Sequence, residues 1–126
     1  MGRVTASSIQ NGWPRNSPWI SDGRLVTAWL CKANDKNPWI KIQPKNAMKF
    51  GEIVLWPNQI HHKIKKIELI LNGGGRPKVI EVTDPRAPIH IPFKRRADLT
   101  QLEIRITETD PKSGNRHVGF AEVIIR

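Results

Sequence analysis

Only one cysteine, Cys31, occurs in this sequence of 126 residues. A lone thiol excludes an internal disulfide framework and leaves the redox compartment open. Long apolar runs are missing as well. No stretch approaches the roughly 18 residues of a membrane-crossing helix, so no membrane span is expected. The start does not read as a signal peptide, because Met1-Gly2-Arg3 leads straight into a polar, strand-like segment. No segment of ten or more residues carries a convincing helical period, and there is no internal repeat or linker. Motifs of catalysis are absent too. There is no His-Glu-x-x-His and no Gly-x-Ser-x-Gly, and Cys31 has no visible catalytic context. The stretch "NGGGRPK" (72–78) lacks the Gly-Lys-Ser/Thr ending of a phosphate loop, and no helix follows it; a hairpin turn explains its glycines better. These absences point away from an enzyme.

What is present is alternation. In "LTQLEIRIT" (99–107), Leu102, Ile104 and Ile106 alternate with Glu103, Arg105 and Thr107, the period of a half-buried strand. "KIELIL" repeats the pattern with Ile67, Leu69 and Leu71. "WIKIQ" (39–43), "FGEIVLW" (50–56), "RPKVIEVTD" (76–84) and "FAEVIIR" (120–126) also read as strands. Turn residues fall between them: Pro57-Asn58, Gly73-Gly74-Gly75, Asp84-Pro85, Asp110-Pro111 and Ser113-Gly114-Asn115. About eight short strands at this spacing predict an all-β antiparallel sandwich or barrel. The length fits a single domain over 1–126, able to bury roughly two-thirds of its unfolded surface.

Charge is lopsided. Lys and Arg number 21 against 11 acids, giving +10. Such a potential attracts phosphate, sulfate or carboxylate polymers. Lys63, Lys65 and Lys66 form one cluster, and Lys94, Arg95 and Arg96 another. A polyanion is therefore one candidate partner; a solvated, soluble surface is the other explanation.

"SDGRLVTAW" (21–29) poses the sharper question. Asp22-Gly23 is a strong turn signal, since Asp bonds its own backbone and Gly accepts positive φ. A plain surface turn needs neither the Thr27 hydroxyl nor the Trp29 ring that follow. Taken together, "VTASSIQNG", "SDGRLVTAW", "NPWIKIQ" and "GFAEVIIR" resemble the discoidin, or coagulation factor 5/8 type C, superfamily of galactose-binding-like domains. The likeness runs in order over almost the whole chain. It departs where Gln43-Pro44-Lys45 replaces the usual Asp-Leu-Gly, and where Arg24 replaces a frequent second acid or amide. The resemblance implies an eight-stranded jelly roll with adjacent terminal strands, cut from a larger multidomain protein. It also implies that Trp29 and Trp39 belong to the core.

Members of that superfamily often hold a calcium ion between the Asp-Gly loop and the last strand. Calcium takes six to eight hard oxygens, and tight turns supply backbone carbonyls. By resemblance, Asp22, Thr27 and Glu122 would give side-chain oxygens, and Trp19, Arg24, Thr27 and Ala121 backbone ones. The Arg24 guanidinium would then have to point away from a structural Ca2+. The alternative is that Asp22 caps its turn while Glu122 pairs with a nearby Lys or Arg.

The remaining tryptophans and loops suggest a ligand. Trp19 is expected beneath the calcium loop, whereas Trp13 in "NGWPRN" and Trp56 in "LWPNQIHH" stand at loop starts before proline. An exposed ring stacks on the apolar face of a sugar, and neighbouring polar groups fix the hydroxyls. Trp56, Asn58, His61 and His62 on one loop, with Arg116 and His117 on the next, are the expected ligand residues. Related family 32 carbohydrate-binding modules place such residues at one end of the sandwich. A zinc pair at His61/His62 is weak, since adjacent strand residues face opposite sides and no third ligand is evident. The expected function is a monomeric, non-catalytic carbohydrate-binding module, extracellular or cell-surface within a larger protein. A galactose-like or acidic sugar is the expected glycan. Binding of a polyanion, whether acidic polysaccharide or nucleic acid, and protein docking without a small ligand are the alternatives.

Overall fold

Alternating side chains build two antiparallel sheets. The computed structural model describes residues 2–10, 24–26, 29–60, 62–111 and 117–126. Among them the strands are β1 (Gly2–Ala6), β2 (Arg24–Val26), β3 (Trp39–Pro44), β4 (Met48–Ile60), β5 (Lys63–Leu71), β6 (Lys78–Glu81), β7 (Ile89–Leu99), β8 (Leu102–Asp110) and β9 (His117–Ile125). One sheet runs β1-β3-β8-β5-β6 and the other β2-β9-β4-β7.

Register explains the core. Ile104 pairs with Ile40 on one side and Leu69 on the other, a row of three branched side chains facing inward. In the second sheet Leu25, Val123, Leu55 and Ile89 form the corresponding row. All seven are buried, and Trp29, Phe50 and Phe120 are the largest fully buried side chains. Trp29 and Phe120 lie 6.1 Å apart between ring centroids. Each such burial stabilises by roughly 1.5–3 kcal/mol.

The hairpin expected at the glycines is there. Asn72 (φ 56°), Gly73 (φ 73°) and Gly75 (φ 81°) adopt the left-handed backbone that turns β5 into β6. Asn72 Oδ1 also accepts hydrogen bonds from Thr100 N at 2.8 Å and Thr100 Oγ1 at 3.0 Å, joining this turn to the one before β8.

Several details differ from expectation. The described residues form nine strands rather than eight. The terminal strands lie in different sheets, and β2, not β1, pairs with β9. Strand β7 was not anticipated, because Pro92 and the basic run 94–96 interrupt its pattern. It tolerates Pro92 as an edge strand, where a missing N–H leaves no central ladder broken. Trp56, Pro57 and Asn58 lie inside β4 instead of opening a loop. Trp39 is half-buried on the outer face, with Lys41 Nζ 5.7 Å from its ring centroid. The period of two requires this, since Ile40 and Ile42 take the inward positions.

Candidate functional site

One irregularity organises the outer face of the four-stranded sheet. Trp56 of β4 pairs with Glu122 of β9, yet Pro57 pairs with Phe120, so Ala121 is an extra residue in β9. A bulge of this kind bends the strand and re-aims the neighbouring side chain. The Trp56 ring is 41% exposed, one of three large apolar side chains so exposed among the described residues. Glu122 lies directly across from it. Its Oε1 is buried without a hydrogen bond among the described residues, and its contact is an ion pair with Arg24 Nε from β2. Ring, carboxylate and guanidinium thus share one patch.

Beside the bulge, the chain at 29–31 continues the line of β2 along β9. Trp29 N donates to Phe120 O and Cys31 N to Val118 O, each at 2.9 Å. Gly119 is opposite Asn58, and a Cβ there would stand 2.0 Å from the Trp29 carbonyl oxygen. Only glycine lets this strap lie so close. Asn58 Nδ2 reaches across to donate to the same Trp29 oxygen at 3.3 Å. His117 Nδ1 is 3.4 Å from Cys31 O. The far side of the strap is tied to Ser8, whose carbonyl accepts from Trp29 Nε1 at 2.9 Å.

These contacts reassign part of the expected ligand set. Asn58 and His117 are brought to one ladder, but both side chains meet backbone carbonyls of the strap. His62 is buried at 6% exposure in the β4–β5 connection. Trp56 is the described ligand candidate whose ring faces solvent. Trp13, His61 and Arg116 lie outside the described residues. One anchor escaped the sequence reading altogether. Asp35 Oδ2 accepts from Ser7 Oγ at 2.5 Å and Ser8 Oγ at 2.6 Å, fastening the 32–37 loop to the end of β1. The paired serines were the visible signal, but their acceptor lies far along the chain.

Of the expected calcium set, Trp19, Asp22 and Thr27 also lie outside the described residues. Ala121 and Glu122 meet at the bulge, with Arg24 beside them. The guanidinium expected to point away instead faces the carboxylate. A divalent ion at Glu122 Oε1 would have to displace a full positive charge already there. At this patch the described residues therefore offer calcium a carboxylate already paired with Arg24.

A second charged group closes the other side of this face. Arg126 Nε donates to Glu52 Oε1 at 2.8 Å, and His90 Nδ1 is 3.6 Å from Glu52 Oε2. The Arg126 hydrogen bond, reinforced by both positive partners, holds the Glu52 carboxyl below its ordinary 4.5 despite opposing desolvation.

No protein-family model and no curated protein matches the sequence. Solved structures share the fold. An arabinofuranosyltransferase, AftD from Mycobacteria, contains a region similar over 97% of this chain, with a TM-score of 0.72 and 18% identity. This chain spans only 10% of that one. The family 32 carbohydrate-binding module of NanJ from C. perfringens, solved with galactose, aligns over 99% of this chain and 93% of its own, with a TM-score of 0.69 and 15% identity. The lectin domain of Lectinolysin, complexed with Lewis B antigen, aligns over 99% and 92%, with a TM-score of 0.67 and 13% identity. The architecture they share with this chain is a two-sheet antiparallel β-sandwich. Small solved structures that share it include carbohydrate-binding modules and a lectin domain.

Proposed function

We propose that this chain is a non-catalytic carbohydrate-binding module that carries a larger protein to glycans at or outside the cell surface. The observation that carries the reading is Trp56. Its ring is exposed on a paired strand, opposite Glu122 with Arg24 beside it. A ring supplies the stacking plane for a sugar, and a carboxylate and guanidinium bond hydroxyls around it. The fold shared with modules solved on galactose and Lewis B antigen supports the same class. Each contact in so open a site contributes about 1 kcal/mol, so weak affinity is expected. A glycan array identifies the sugar, and titration of Trp fluorescence measures binding. Trp56→Ala should abolish the signal and leave the fold intact. If no glycan shifts the fluorescence and Trp56→Ala collapses the melt, the ring is structural and the reading fails.

Polyanion binding is the second reading. It is supported by the basic run Lys94-Arg95-Arg96, which lies where four residues of β7 (93–96) stand opposite Gly51 alone. Retention on heparin that falls steeply with salt would favour it, as counterion release requires. Release at low salt would reduce the charge to a solubility feature.

A further inference from the structure

The pair between Arg24 and Glu122 ties β2 to β9, from opposite ends of the chain. We infer that Arg24 is the resident cation of the Glu122 carboxylate, so this strand-to-strand tie is held by an arginine and does not depend on a bound metal ion. The inference stands apart from the glycan reading and survives its failure.

Three features of the structure support it. Glu122 Oε1 is buried and makes no hydrogen bond among the described residues. A carboxylate oxygen removed from water needs a compensating positive charge. The register supplies one: Val26 pairs with Glu122 and Arg24 with Ile124, so Arg24 is the diagonal neighbour, within reach of a long side chain. The bulge at Ala121 completes the geometry by redirecting Glu122 where the ladder is interrupted. Calcium entering the patch would have to exchange with Arg24, losing the attraction that Glu122 offers an unpaired site.

Thermal melts of the 126-residue chain test this, in chelator and in 5 mM calcium chloride (roughly the regime that fills a weak extracellular site). The expected result is a wild-type melt that is the same in both. Arg24→Gln should lower the midpoint by about 5 °C. Glu122→Gln should lower it similarly, and the double variant should fall clearly short of the sum of the two, because both remove the shared ion pair. Arg24→Lys, which keeps the charge, should recover part of the loss. A calcium-dependent rise of the wild-type midpoint that Glu122→Gln removes would overturn the inference. So would fully additive losses in the double variant. Where the Gln variants fail to fold, the wild-type melts alone decide: identical curves support the arginine tie, and a calcium-raised midpoint refutes it.

Discussion

The two outer faces of the sandwich are finished in opposite ways. On the five-stranded sheet, Glu103 is 8% exposed at the centre of a charged lattice. It bonds Arg105 Nε at 2.5 Å and lies 3.7 Å from Lys41 Nζ, while Lys41 covers Trp39. Lys66 and Glu108 pair at 3.7 Å nearby. The four-stranded sheet places Val54, 2% exposed, between Ile124 and His90 in the next position of the same row, with the exposed Trp56 ring beyond. Two of its ion pairs, Arg24–Glu122 and Glu52–Arg126, flank this apolar strip, and Lys49–Asp98 lies further along β4. On the first face the charges pair with one another and Lys41 covers the Trp39 ring. The second has an apolar centre and polar margins, the arrangement on which the proposed glycan site rests.

The largest way to break the contrast is at the edge of the ligand face. Gly119→Ala forces a methyl group to within 2.0 Å of the Trp29 carbonyl, and backbone cannot swing aside as a flexible side chain can. A loss of about 3 kcal/mol or more is expected, at the upper end of overpacking costs. Chemical denaturation measures it, and faster exchange of the Trp29 and Cys31 amides would locate it. A loss below 1 kcal/mol would mean that the strap is not fixed against β9. Next in size is the charged face. Glu103→Gln removes the negative charge that Arg105 and Lys41 share and turns one of its two acceptor oxygens into a donor, and it should cost roughly 1.5–3 kcal/mol, the range for hydrogen bonds to charged groups. Smaller still is Trp56→Ala, expected to cost less than about 1 kcal/mol, against about 3–5 for the buried Trp29→Ala. If Trp56 proves as costly as Trp29, the two faces do not differ in kind and the ligand face loses its argument.

How far these faces were legible in the sequence varies with the range of the forces that shape them. The inward rows follow from alternation alone, so β5, β8 and β9 were visible in Ile67, Ile104 and Val123. Strand β7 was not, because Pro92 and three consecutive basic residues erase the pattern, and only its edge position excuses them. Pro57 misled in the same manner. It reads as a turn, but β4 pairs with β7 only as far as Leu55, and beyond that point a missing N–H breaks no second ladder. Trp39 shows the reverse error, since the resemblance placed in the core a ring that plain alternation sends outward. The candidate site was half legible. Trp56 and Glu122 were singled out separately, but their opposition depends on the Ala121 bulge, which has no local signature. Asn58 and His117 carried the right chemistry for a ligand, yet they bond the Trp29 and Cys31 carbonyls, an encounter that only tertiary register creates.

The smallest effect distinguishes the margins of the two faces by pH. Glu52 has its carboxyl held below 4.5, chiefly by the hydrogen bond from Arg126, with the charges of Arg126 and His90 adding to it. A carboxyl that ionises more easily in the folded chain than in the unfolded one stabilises the fold above the unfolded value. That contribution disappears as pH falls from 4.5 through the lower folded value. Arg126→Gln removes the principal cause. The Glu52 titration, followed by side-chain carbonyl NMR, should then move back up towards 4.5, and stability should lose less between neutral pH and pH 3 than it does in the wild type. His90→Gln should move the titration in the same direction by a smaller step, because its contribution ranks below that of Arg126. A wild-type Glu52 that already titrates at 4.5 or above would show that this margin of the ligand face is held by packing rather than by charge.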